Sequence, residues 1–170
     1  MSGRTFEKSF TAHKAMGRPV ELVTKTHPNY TFNCPDLLTD GLVGEGPYNS
    51  GDFAGWYNVD FEAIVDMGGQ AYSEVILSTF VFKYDWIMNP QSLTVYTSED
   101  GKNFTEAAHM DIEVEGLMDD GNGCKSYSLA IGETSAKYLK VVAGCCTSLP
   151  QWHTGAGHPA FLFVDEVIVK

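Results

Sequence analysis

The chain ends in FLFVDEVIVK, Phe161 to Lys170, a run of aromatic and β-branched residues that reads as a strand and yet carries two adjacent carboxylates. Side chains alternate along a regular strand, so Leu162, Val164, Glu166 and Ile168 share one face while Phe161, Phe163, Asp165, Val167 and Val169 share the other. Each face then holds one acid among apolar neighbours. Taking an ionised carboxylate out of water costs on the order of several kcal/mol unless it is paired, protonated or bound to a metal. No Lys or Arg lies between Lys140 and Lys170 to serve as a local partner. Glu166 is therefore read as a Ca²⁺ ligand, with a wet strand edge, or pairing to the distant Arg18 or Lys83, as the alternatives.

The rest of the chain repeats the strand theme. From Phe61 onward, short β-type runs alternate with turn signals: Phe61 to Asp66 before Gly68-Gly69, then Glu74 to Phe82, then Ser92 to Ser98 stopping at the Asp100-Gly101 hairpin signal. Asp111 to Glu115, Lys125 to Ile131 and Ala136 to Ala143 follow, and the C-terminal run is the last. Only Phe6 to Met16 has any helical pattern, and it is weak. About eight strands without intervening helices predict an all-β fold, an antiparallel sandwich or barrel. One domain is expected over residues 1–170, with 1–30 as a loop-rich lead-in. Glycines at 41, 44, 46, 51 and 55 mark long ordered loops, which on such a scaffold are binding loops or metal-organised ones.

Acidic residues outnumber basic ones, 22 to 11, for a net charge of −11. Nucleic acids and anionic membranes require a basic face, so both are excluded as expected partners, and neutral ligands or cations fit better. No stretch approaches the roughly 20 apolar residues of a membrane span, and the opening MSGRTFEKSF has no apolar leader segment. The four cysteines show no C-x-x-C and no zinc-finger spacing, and free thiols are expected.

Seven segments in order resemble one family: HKAMGRPVEL (13–22), LLTDGLVG (37–44), GDFAGWYN (51–58), EAIVDMGG (62–69), WIMNPQSLTVYTSEDGKNF (86–104), AKYLKVVA (136–143) and LPQWHTGAGHPAFLFVDEV (149–167). Together they look like the discoidin-like jelly roll of coagulation factor 5/8 type C domains and carbohydrate-binding module family 32, a galactose-binding-domain-like sandwich. More narrowly they resemble the domain that follows the catalytic barrel in bacterial family 20 β-N-acetylhexosaminidases, the chitobiases. The chain departs from animal discoidin domains in having no cysteine pair joining its termini, and its acidity opposes phospholipid binding. The ligand the resemblance implies is thus a glycan of N-acetylglucosamine or galactose type.

By the same resemblance, Asp40 of the TDG element and Glu166 of DEV would share a structural Ca²⁺, with Asp52 as a third ligand and backbone carbonyls completing the shell. Read from the residues alone, Asp40 is rather an Asx-type turn cap before Gly41. Sugar would stack on Trp86 and Trp152, with His153, Asn89, His158 and Tyr84 supplying hydrogen bonds; the structural alternative is burial of these aromatics, expected above all for Trp56. Asp165-Glu166 is reminiscent of the paired acids of family 20 catalysis, but neighbouring strand residues point to opposite faces and the barrel context is missing, so no turnover is expected. The implied function is a noncatalytic carbohydrate-binding module of a glycoside hydrolase, attached to its catalytic domain and working in the periplasm, at the cell surface or outside the cell. The alternative is a structural domain packed on that barrel without binding sugar.

Overall fold

In a computed structural model that describes Lys8 and residues 10–170, nine strands pair entirely antiparallel into two sheets. They are β1 (Val20–Leu22), β2 (Ala54–Tyr57), β3 (Phe61–Asp66), β4 (Tyr72–Val81), β5 (Ser92–Ser98), β6 (Thr105–Asp111), β7 (Gly123–Thr134), β8 (Tyr138–Ala143) and β9 (Phe161–Val169). One sheet has the order β1-β3-β8-β5-β6 and the other β2-β9-β4-β7. The core lies between them. Phe61, Ala63 and Val65 alternate inward from β3, Leu139 and Val141 from β8, and Val75 and Leu77 from β4, around a fully buried Trp56 whose ring meets Phe61 edge-on at 4.8 Å. The all-β sandwich expected from the turn-punctuated pattern is thus the architecture found. Among the described residues no helix is long and apolar enough to cross a membrane.

Three local expectations differ. Part of the candidate helix Phe6 to Met16 lies outside the described residues, and from Thr11 to Met16 the chain is extended and turn-like. The lead-in is woven into the fold from there: the Lys14 N–H donates to the Val169 carbonyl, Gly17 to Thr39, and Val20–Leu22 forms an edge strand on β3. The strand expected at Asp111 to Glu115 instead ends at Asp111, because β6 is the return arm of the Asp100-Gly101 hairpin and is set in register by β5.

The third difference concerns β9. Ser78 of β4 pairs with Glu166, but its neighbour Thr79 pairs with Val164, which leaves Asp165 as the extra residue of a β-bulge. Leu162 and Val164 face the core before the bulge, Val167 and Val169 after it. The regular alternation expected for this strand is therefore broken, and Asp165 and Glu166 both face the outer side of the sheet. The long first third of the chain, residues 10–53, covers them there.

The antiparallel register also gathers loops. β4, β6, β8 and β2 end, and β5, β7, β9 and β3 begin, at one end of the sandwich. Residues 58–60, 82–91, 112–122 and 144–160 all emerge there.

Candidate functional site

All six residues expected to meet sugar lie on that loop end. The segment after β4 is a tight excursion: Phe82 and Ile87 exchange both backbone hydrogen bonds, at 3.0 and 3.1 Å, and a short 3-10 turn at Lys83–Asp85 lies between them. Trp86 closes this turn in the left-handed conformation, φ 61°, which costs a non-glycine residue on the order of 1 kcal/mol or more. It is held by strand pairing on both sides, with the Phe161 N–H donating to the Trp86 carbonyl and the Met88 N–H to that of Phe161. Its half-buried ring packs on the backbone of Gly155, where a Cβ would fall 2.7 Å from Cε2 and Cζ2, and stands 5.5 Å from the exposed ring of His158.

The facing loop is closed by its own ladder. Leu149 donates to the His158 carbonyl, Gly157 to that of Leu149, and Ala160 to that of Cys146. Met88, Cys146, Leu149 and Ala160 form a small second core beneath it, with Trp86, Val114 and Trp152 packed on the rim. Trp152 is half-buried like Trp86, and His153 touches both indoles, at 6.4 Å from Trp86 and 5.8 Å from Trp152.

Two of the expected sugar contacts are turned inward. His153 is buried; its Nδ1 accepts from the Gly155 N–H, so Nε2 carries the proton and donates to the Lys83 carbonyl at 2.7 Å. Asn89 is buried as well and donates to the Pro90 carbonyl at 2.9 Å. Both fix the loops rather than face a ligand, because the second core draws their short linkers inside. Tyr84 is 52% exposed and donates to an Asp119 carboxylate oxygen, which raises the phenol pKa. That leaves Trp86, Trp152, His158 and Tyr84 on the accessible rim.

Lys83, offered by the sequence only as a distant partner for Glu166, does not pair with it and lies instead at the loop end. Its side chain is buried to 1% exposure, and its ammonium donates to the carbonyls of Glu115 (2.6 Å), Leu117 (2.5 Å) and Asp120, 5.6 Å from the centre of the Trp152 ring. Burial pulls its pKa down, and the nearby Asp120 and Glu115 oppose that. An internal cation thus ties loop 112–122 to the tryptophan rim. Its only sequence signal is a lone Lys beside an aromatic turn, which is indistinguishable from a surface lysine.

The acidic pair lies elsewhere, under the covering segment. Glu166 accepts at one oxygen from the Gly41 N–H (2.9 Å) and from His13 Nε2 (2.7 Å), while the Val169 N–H donates to His13 Nδ1. Asp165 accepts from the Gly44 N–H at 2.6 Å. The two acids therefore serve one loop, an arrangement that alternate faces would not allow. Burial pushes Asp165 up to about 7, with the Gly44 amide and Ser78 hydroxyl pulling the other way and Glu166 adding to the rise. Glu166 is likewise raised by burial, opposed by His13 and Gly41. One oxygen of each, Asp165 Oδ1 and Glu166 Oε2, is buried without a hydrogen-bond partner.

That orphaned Glu166 oxygen is what a cation would meet. Asp40 is close enough to raise the Glu166 pKa, yet it also caps the Leu42 N–H at 2.8 Å, the Asx turn that was its structural alternative. Asp52 is held by Lys8 at 2.6 Å. Among the described residues no three His, Cys, Asp or Glu side chains come together as a metal cluster, so a Ca²⁺ on Asp40 and Glu166 would draw its remaining ligands from backbone carbonyls. The acids themselves are fully buried and reach no solvent from which a glycosidic bond could approach.

No protein-family model and no curated protein sequence matches the chain. Solved structures do. The lectin domain of lectinolysin complexed with Lewis B antigen matches at 16% identity and TM-score 0.56, over 95% of this chain and 98% of that one. A Streptococcus pneumoniae fucose binding module matches at 19% identity and TM-score 0.52, over 97% and 98%. CBM32-3 from a family 31 glycoside hydrolase of Clostridium perfringens matches at 15% and 0.54, over 94% of each chain. At such identities the likeness is one of fold: the chain is a β-sandwich of the kind used by carbohydrate-binding modules. It spans about a quarter of the larger family 29 chains it also matches, covering 27% of SpGH29.

Proposed function

We propose that the chain is a noncatalytic carbohydrate-binding module whose sugar platform is the rim formed by Trp86, Trp152, His158 and Tyr84. The observation that carries this is the pair of half-buried tryptophans on two independent loops at one end of the sandwich, one of them held in a strained backbone conformation against a glycine. Strain maintained by its surroundings concentrates where geometry serves binding. A pyranose offers apolar C–H faces to indoles and hydroxyls to a histidine, a phenol and a carboxylate such as Asp119. The fold neighbours that carry names of sugar-binding modules support the same assignment.

The module serves a glycoside hydrolase acting on N-acetylglucosamine-containing glycans, outside the cytoplasm, and raises the local concentration of substrate for its catalytic domain by tethering. A structural Ca²⁺ sits between Asp40 and Glu166, where it would neutralise the orphaned carboxylate oxygen. A second reading, a domain that packs on the barrel and binds no sugar, is favoured by one observation: both indoles also serve as the rim of the second core.

Titration calorimetry with chitobiose, and with galactose and fucose glycosides, separates the two. A platform with a few hydrogen bonds should bind with Kd on the order of 0.1–1 mM, about 4 to 5.5 kcal/mol. Trp86→Ala should abolish binding. Absence of binding for every sugar, together with a large fall in melting temperature in Trp86→Ala, would place the packing domain first.

A further inference from the structure

A cavity lies near the tryptophan rim, on the outer face of the four-stranded sheet. It has a volume of about 360 Å³ and is lined by Pro47, Tyr48, Asn49, Phe80, Phe82 and Asp85. That size is at the lower end of the roughly 300–1,000 Å³ of small-molecule sites and suits one ring.

The cavity is built rather than incidental. Gly46, at φ +80°, lets its loop lie on the floor, because a Cβ there would fall 2.6 Å from Phe80 Cε2. The Tyr48 ring is backed by Phe163 at 5.1 Å and Tyr30 at 6.1 Å, so its position is set by the sheet beneath. Its hydroxyl donates to Asp85 Oδ2 at 2.8 Å, joining two loops far apart in sequence, and that bond pushes the phenol pKa up to about 12. The other Asp85 oxygen and the exposed Asn49 amide are left to meet hydroxyls, while Phe82 and Tyr48 supply apolar surface. The turn Lys83–Asp85 connects this cavity to the rim: Asp85 lines the cavity, and Trp86, which closes the turn, packs on the second core.

We infer that this cavity is a second pyranose subsite, taking a neutral sugar unit through hydroxyl contacts to Asp85 and Asn49 and a C–H face against Tyr48 and Phe82. The inference rests on the reading that this end of the module takes glycans. A carboxylate at the mouth of a chain of net charge −11 disfavours sulfated, phosphorylated and sialylated ligands.

The test is amide chemical-shift mapping of the isotope-labelled full chain with methyl glycosides of N-acetylglucosamine, galactose and fucose, each at tens of millimolar. Saturable shifts at Tyr48, Asn49, Phe82 and Asp85 are expected with at least one probe. Tyr48→Phe, which keeps the ring and removes the hydroxyl bond, should weaken them about tenfold, and Asn49→Ala should weaken them without altering shifts at Trp152 and His158. Saturable shifts confined to Trp152, Gly155 and His158 would overturn the second subsite and leave the rim standing. Shifts confined to the cavity would support the subsite and overturn the rim. No saturable shift at either place, or cavity shifts indifferent to both substitutions, would overturn the inference.

Discussion

Replacing Lys83 by Met tests whether an internal cation organises the loop end. Methionine keeps the apolar stem and removes the ammonium, leaving the carbonyls of Glu115, Leu117 and Asp120 without their donor. Each hydrogen bond to a charged group contributes about 1.5–3 kcal/mol, so the gross loss is on the order of 5–9 kcal/mol. Two effects reduce it. The wild type bears the cost of desolvating an ammonium, several kcal/mol, which Met avoids. Glu115, Leu117 and Asp120 are themselves exposed residues, so their carbonyls can turn to water once released. The net destabilisation should be about 2–4 kcal/mol, which for a chain of 170 residues lowers Tm by roughly 4–16 °C. Hydrogen exchange should accelerate over residues 112–122 more than in β4 or β9, and Trp152 fluorescence should shift to the red as its ring gains water. A Tm within 1 °C of wild type, with unchanged exchange in 112–122, would refute the cation's role.

Asp165→Asn should remove an unusual pH dependence. The folded pKa, about 7, lies above the unfolded value, so the folded state holds the proton more tightly and this group's contribution to stability falls as pH rises from about 4 to about 7. In EDTA, the variant should gain on wild type by up to about 4 kcal/mol between pH 4 and pH 8; a constant difference across that range would contradict burial as the cause. Chelation should lower the Tm of the wild type but not of Glu166→Gln, since a ligand at a hundredfold its Kd stabilises by about 2.7 kcal/mol. Equal melts with calcium and with EDTA would remove the ion. Gly155→Ala should cost about 1–3 kcal/mol, because its Cβ must displace the Trp86 ring, and should weaken sugar binding at least tenfold; unaltered affinity would mean that Trp86 is not part of the platform.

Sequence by itself determined the sandwich. Alternation and turn chemistry are local, so Phe61–Asp66 and Ser92–Ser98 were legible to their ends, and β4, β7, β8 and β9 to within a few residues. The three residues of β1 and four of β2 are too short to show a period, and β6, TEAAHMD, lacks β-branched apolar residues; these strands exist because a partner supplies their hydrogen bonds. The residues of the rim were legible as aromatics on loops, and antiparallel pairing brought them to one end. Which of them face out was decided by packing: the second core drew in His153 and Asn89 and left Trp86 and Trp152 at its edge. The phase of β9 was likewise beyond any local pattern, because a bulge is a mismatch between two strands, Ser78 with Glu166 and then Thr79 with Val164. That mismatch puts both carboxylates under one loop, and the three carbonyls around Lys83 converge only once loop 112–122 has folded over it. Periodicity is a property of one segment, whereas register, burial and the partner of a charge are properties of segments brought together from far apart in the chain.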